Sequence, residues 1–394
     1  MEHVAEDLAV TSETARHQPA DEVDLTKVQK PVGAGALKYT NPRRTRAVVT
    51  LSVLVVTLVA VTIVSAGLGQ YNIPTDQVLA SFARKWGFIP PQQEWAIADS
   101  TLWNVRFPRV LLALFVGAAL GCSGAVMQAV FGNPLAEPGV VGISSGAAVG
   151  ACLAIVLGPQ LRDTFAVPTF AFIGALTATV LVYALSRSGG RSQVVSMILT
   201  GIAVTAVANA AIAFCVYVCT AAMSAAMYAA RTTACDQIVF WQMGSLNRAS
   251  WTSLSNMWFV VVAALLACFM ISGKLDLLAL GERAAQHSGV NVERLRMLAI
   301  AATALLTGAA VAHSGIIAFV GLIIPHLLRL LLGPSNRVLL PASALGGALL
   351  VSLSDLVART LIPFSDMPIG IFTALVGGPT FFFLLRRSMR KGGV

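Results

Sequence analysis

The side chains best placed to do chemistry in this chain are arginines rather than nucleophiles or metal ligands. Arg106-Phe-Pro-Arg109 sets paired cations at the mouth of a Gly- and Ala-rich apolar run. Asp355-Leu-Val-Ala-Arg359 places an acid and a base four residues apart, where a helix puts them on one face. Guanidinium groups pair with carboxylates, whether of the same helix or of a partner. Covalent and metal chemistry find no such support. Cys122, Cys152, Cys215, Cys219 and Cys268 lie in apolar runs, where a free thiol packs as a small hydrophobe. Only Cys235 falls in a connector, and no CxxC occurs. Cys215 and Cys219 share a helix face without a neighbouring histidine, and His313 and His326 sit near opposite ends of consecutive runs, so no metal site is expected. HExxH, a nucleophile elbow and a paired-carboxylate site are all missing from the sequence. The only Gly-Lys pair, Gly273-Lys274, is followed by Leu275 rather than the Ser or Thr of a phosphate-binding loop. The chain is therefore expected to bind no cofactor and to carry no ATPase site.

The elements that hold these arginines belong to a membrane. Hydrophobic residues make up 56% of the 394 positions and charged ones 11%, against about 25% charged in soluble domains. A helix needs about 20 apolar residues to cross the hydrocarbon, and such runs recur at 47–69, 108–131, 140–158, 168–186, 195–219, 252–272, 296–313, 316–332, 338–361 and 368–386. Transmembrane strands would instead alternate over about ten residues, so the expected fold is all-α with ten spans. The net charge of +9 does not indicate nucleic acid, because the cations gather at the ends of alternate spans. Arg43, Arg44 and Arg46 precede the first; Arg187 and Arg191 follow the fourth; Lys274, Arg283, Arg294 and Arg296 follow the sixth; Arg329 and Arg337 follow the eighth; Arg386, Arg387, Arg390 and Lys391 follow the tenth. Those five sites share a side only if there are ten crossings, and positive residues mark the cytoplasmic side. Both termini are thus expected in the cytoplasm. Residues 1–46 are polar, acidic early and basic late, and read as a disordered cytoplasmic tail whose basic end meets anionic lipid.

Between spans six and seven, about 274–295, the run Leu278-Ala-Leu-Gly-Glu-Arg-Ala-Ala-Gln-His-Ser-Gly-Val-Asn predicts a short helix stopped at Gly289, with Asn291 capping the next. Gly132-Asn-Pro-Leu-Ala-Glu-Pro-Gly139 breaks the chain after span two. The late spans carry Gly315-Ile-Ile-Ala-Phe-Val-Gly-Leu-Ile-Ile-Pro-His-Leu-Leu-Arg329, Met367-Pro-Ile-Gly370 and Gly377-Gly-Pro379. Proline inside a span frees backbone groups that must find partners in protein or water, and Gly117-xxx-Gly121 and Gly146-xxx-Gly150 permit close helix approach.

In this order, from about residue 50 onward, these motifs resemble the FecCD-type permease subunits of type II ATP-driven importers for ferric siderophores, heme and cobalamin. The resemblance implies a homodimeric permease that works with two copies of an ATPase subunit and a periplasmic or lipid-anchored binding protein. ATP and Mg would sit on the partner ATPase, and the site would be a bacterial cytoplasmic membrane. Leu278, Leu280, Gly281, Glu282 and Ala285 would form the coupling segment in the ATPase cleft. Arg106, Arg109 and Arg359 would receive acids of the binding protein. Asn133, Leu135, Val194 and Val195 would belong to the cytoplasmic gate, although two valines stand where polar gate residues are expected. Asn209, the one strongly polar interior group of span five, would face the path. An iron chelate is the expected cargo, with heme and cobalamin sharing the motifs. The different-class alternative is an ion-driven transporter, for which Asp355 is the main intramembrane carboxylate. The polar tail is a departure from the family, whose members begin close to the first span.

Overall fold

The computed structural model describes residues 42–157, 165–188, 191–221 and 225–390. The expected tail lies, up to residue 41, outside the described residues. Helix α1 (Pro42–Gly67) starts five residues before the expected span, with Arg43, Arg44 and Arg46 as its first turns. It is followed by short helices α2 (Thr75–Lys85) and α3 (Ala96–Thr101), and a π turn, Leu102–Arg106, leads into α4 (Phe107–Phe131). Then come α5 (Ile143–Leu157), α6 (Ala166–Leu185), a two-residue ladder of β1 (Arg187–Ser188) with β2 (Arg191–Ser192), α7 (Val194–Ala221) and α8 (Ala225–Gln242). The remainder is α9 (Trp251–Leu278), α10 (Glu282–His287), α11 (Val292–Ser314), α12 (Val320–Leu332), α13 (Asn336–Thr360) and α14 (Ile369–Arg390). Among the described residues seven helices are long and apolar enough to cross a membrane, and α5, α12 and the Ile369–Phe383 part of α14 are shorter apolar helices. Each of the ten overlaps one expected span.

Glycine lets the central helices touch backbone to backbone. A Cβ on Gly121 of α4 would stand 2.1 Å from the Ser343 carbonyl of α13, and one on Gly146 of α5 would stand 2.4 Å from the Gly174 carbonyl of α6. Close approach without side chains between is how spans associate in lipid, where no hydrophobic force separates helix from tail. α4 is accordingly the buried axis of the bundle, while α1 leaves its whole apolar window unburied.

One crossing, α12, is an incomplete helix. Thirteen residues of α12 rise about 20 Å, short of the roughly 30 Å hydrocarbon. The helix expected from 316 begins only at Val320, because Gly315 and Phe319 both take left-handed backbone, φ 67° and 69°. The unwound stretch is covered by protein, as broken spans require: Ser245 N–H donates to the adjoining Ser314 carbonyl at 2.7 Å, and the Glu137 carboxylate lies against the Phe319 backbone. Glu137 comes from the loop 132–142, which folds inward against α7, so that a Cβ on Gly201 would meet the Val140 carbonyl at 1.9 Å.

The start of α1 and the finish of α14 define a termini end of the bundle, and the opposite end is distal. Asp276 near the end of α9 accepts the Asn336 N–H at 2.5 Å and so caps α13 at the termini end. Gln70 reaches the Arg359 carbonyl at 3.2 Å at the distal end.

Candidate functional site

At the termini end, α10 stands out from the bundle between two glycines in conformations that L residues rarely adopt, Gly281 (φ 110°) and Gly289 (φ 80°). Gly289 ends it, with the Val290 N–H returning to the Ala285 carbonyl at 3.0 Å, and Asn291 Oδ1 accepts the Arg294 N–H at 3.0 Å to open α11. The second helix of the segment is thus the first turns of α11 itself, continuous with span seven. Leu278 and Ala285 are buried and fix α10 to the bundle, whereas Gly281 and Glu282 face outward and Leu280 exposes 74% of its surface. Leu280 is thus an apolar knob held out of a turn next to an acid.

The structure adds residues that sequence reasoning had not connected to this knob. Arg296, 3% exposed, donates from Nη2 to Glu282 Oε1 at 2.5 Å and from Nη1 to the Ser192 carbonyl at 2.5 Å. Glu293, one turn earlier, accepts the Ser192 N–H at 3.1 Å, the Ser192 hydroxyl at 2.9 Å and the Tyr183 hydroxyl at 2.7 Å. Ser192 therefore has both backbone groups bonded to side chains of α11, two residues before α7 begins. The cation run in the sequence contained Arg296, but nothing in it singled out a partner 104 positions away.

Of the expected gate residues, Asn133 is exposed and makes an Asx turn, its Oδ1 accepting the Leu135 N–H at 2.9 Å, while Leu135 is half-buried. Val194 is half-buried and Val195 exposed. The loop meets α7 further along the helix, Val140 beside Gly201 and Gly142 beside Val204. Asn209 is exposed in the protomer, on a stripe of α7 formed with Val195, Leu199, Ile202, Ala206, Ala213 and Tyr217 at steps of three or four residues.

At the distal end the three arginines come together, but inside the protein. Arg106, Arg109 and Arg359 are 5%, 8% and 5% exposed. Arg106 donates to the carbonyls of Ala66 (2.7 Å), Gly67 (2.5 Å) and Tyr71, holding the turn after α1. Arg109 bonds Asp355 at 2.9 Å and Asp366 at 2.8 Å. Arg359 pairs with Asp355 at 3.5 Å and donates to the carbonyl and hydroxyl of Ser65. The expectation of a docking triad placed these groups at a surface; the structure gives their donors to α1, α13 and the loop after it. Asp366, which the sequence reading did not single out, is the network's accessible edge, with 35% of its side chain exposed.

An exposed amide on the stripe of α7 and an exposed turn tied to the start of that same helix thus sit in a bundle of ten apolar helices. The sequence model of the FecCD transport family matches residues 56–387. The chain belongs to that family. The permease is 38% identical over 348 residues to the hemin transport system permease protein HmuU of Yersinia pestis, covering 87% of this chain and 97% of that one. It is 37% identical over 302 residues to the vitamin B12 import system permease protein BtuC of Vibrio cholerae, covering 76% and 87%. A solved structure described as an inward-facing conformation of a metal-chelate type ABC transporter superposes with a TM-score of 0.73 at 32% identity, covering 86% of the permease and 98% of that chain.

Proposed function

We propose that two copies of this permease meet around α7 and carry a metal chelate, an iron complex such as heme or a ferric siderophore in the first instance, across a bacterial cytoplasmic membrane. The observation that carries the reading is Asn209. A polar amide on a lipid-facing stripe has no hydrogen-bond partner, so an intramembrane polar residue faces protein or water; a second copy with a hydrated path between supplies both. The positively charged termini end faces the cytoplasm. There an ATPase subunit on each copy, holding ATP and Mg, seats Leu280, Gly281 and Glu282 in its cleft. Arg296 then passes the displacement of α10 to Ser192 and the first turn of α7, where Val195 and, across the loop, Asn133 and Leu135 form the gate.

On the distal face an external binding protein delivers the chelate. The buried arginines serve docking by fixing the shape of that face, joining α1, α4 and α13, with Asp366 as the edge a partner meets. An ion-driven alternative would rely on Asp355, but that carboxylate lies between Arg109 and Arg359, which neutralise it. The relatives' names supply hemin and vitamin B12 as cargo chemistry for those proteins. The test is uptake into proteoliposomes holding the permease and its cognate ATPase, with the cognate binding protein outside. Heme, cobalamin and ferric siderophores are offered in parallel. ATP-dependent accumulation of an iron chelate is expected; accumulation of cobalamin alone would reassign the cargo, and accumulation driven by an ion gradient without ATP would refute the reading.

A further inference from the structure

One face of the distal cap between α1 and α4 turns polar groups inward and large apolar ones outward. In α2, Val78, Ser81 and Arg84 face the protein. Arg84 bonds both oxygens of Asp99 at 2.8 Å and Gln77 Oε1 at 3.1 Å, and Ser81 Oγ accepts the Trp103 indole N–H at 3.1 Å. Outward stand Leu79, Phe82, Trp86, Phe88, Ile97 and Val105. Trp86, Phe88 and Ile97 expose 70%, 79% and 74% of their surfaces. Leaving such side chains in water forgoes about 1.5–3 kcal/mol each, and they stand beside an exposed polar edge of Asp76, Lys85, Gln92, Gln93 and Glu94, the mixed surface of an element at a membrane interface.

A second observation says what covers them. Trp86, Trp95, Trp103, Trp241, Trp251 and Trp258 are all the tryptophans of the sequence, and each lies in the cap, in the last turn of α8, or in the first two turns of α9, all at the distal end. The cap and α9 form one band, since the Trp251 indole donates to the Trp103 carbonyl at 2.6 Å and the rings stack at 6.4 Å. The band continues into exposed Trp258 and Phe259 on α9 and hangs from α1, which exposes Val48, Val49, Val53, Val56 and Val59 along one side. Tryptophan collects at the level of lipid head groups, where an apolar ring carries a polar N–H.

We propose that residues 71–105 form a monotopic cap lying in the membrane interface at the distal end, with Trp86, Phe88 and Ile97 sunk among the acyl chains and the Arg84–Asp99 pair held on the protein side. The cap would fix the depth at which the distal face presents itself. The inference does not depend on what the permease carries. Its test uses the full-length protein in nanodiscs of phosphatidylcholine and phosphatidylglycerol, with a nitroxide on Phe88→Cys, Ile97→Cys or, as a water-facing control, Asp76→Cys. Five of the native cysteines are buried and one is half-buried, and the unsubstituted protein sets their background. Power-saturation measurements with oxygen and with a water-soluble nickel chelate report depth. Labels at 88 and 97 are expected to favour oxygen over nickel by severalfold and the label at 76 the reverse. Nickel access at 88 and 97 equal to that at 76 would overturn the proposal. So would exclusion of both reagents, which would mean that a protein partner or second copy covers the cap.

Discussion

Arg296 holds Glu282 of the outward-facing helix α10 at 2.5 Å, and the same guanidinium holds the carbonyl of Ser192 just ahead of α7. A planar fork with fixed donors transmits position between two acceptors in a way that a flexible ammonium cannot. Arg296→Met is therefore expected to leave the permease inserted and the ATPase bound while lowering uptake per ATP hydrolysed by ~2- to 30-fold, the range for couplings of 0.5–2 kcal/mol. Arg296→Lys should fall between. Unchanged coupling in Arg296→Met would show that motion of α10 reaches α7 by another route.

The distal network makes a separate prediction about stability. Replacing Arg109 by Met strips Asp355 of its nearer cation inside the bundle, and breaking a buried pair costs about 3–5 kcal/mol. Asp366→Asn touches the half-open edge and should cost within about 1 kcal/mol. The check is thermal unfolding in detergent, together with binding-protein affinity measured on whatever folds. If Arg109→Met melts like the parent protein, the network is not what joins α1, α4 and α13.

Close packing through glycine gives a third. Gly121→Val must drive a side chain into the Ser343 carbonyl, 2.1 Å from where its Cβ would stand, whereas a Cβ on Gly378 meets nothing within 4 Å. The yield of folded protein should collapse for Gly121→Val and stay near that of the parent for Gly378→Ala, overpacking costing typically 1–3 kcal/mol. Equal yields would mean that α4 and α13 can separate freely.

Much of the fold was legible because each crossing repeats one physical demand, an apolar run with charge or proline at its ends. The Gly117 and Gly146 patterns marked close backbone contacts, because only glycine lets two helices touch there. Asn291 was readable as a cap because capping is local. The unwound stretch from Gly315 to Phe319 was not, since its residues are as apolar as a helix and only its left-handed turns break it. The segment from Leu278 to Ala285 was readable as a motif, but Arg296, Ser192, Glu293 and Tyr183 meet through tertiary structure that no local pattern encodes. Likewise the arginine motifs marked a special place without saying whether the cations point out to a partner or in to Asp355, Asp366 and the end of α1.

In the proposed transport cycle the exposed stripe of α7 lines a path opened and closed by ATP. A single cysteine at Asn209, in a background with the native cysteines replaced and the uptake retained, tests it most directly. The permease is reconstituted with its ATPase and probed with a small water-soluble thiol reagent added from each side. The account expects labelling in at least one nucleotide state, from a side that changes when ATP is bound or hydrolysed. Labelling confined to lipid-soluble reagents and indifferent to nucleotide would place Asn209 against the bilayer and contradict the account.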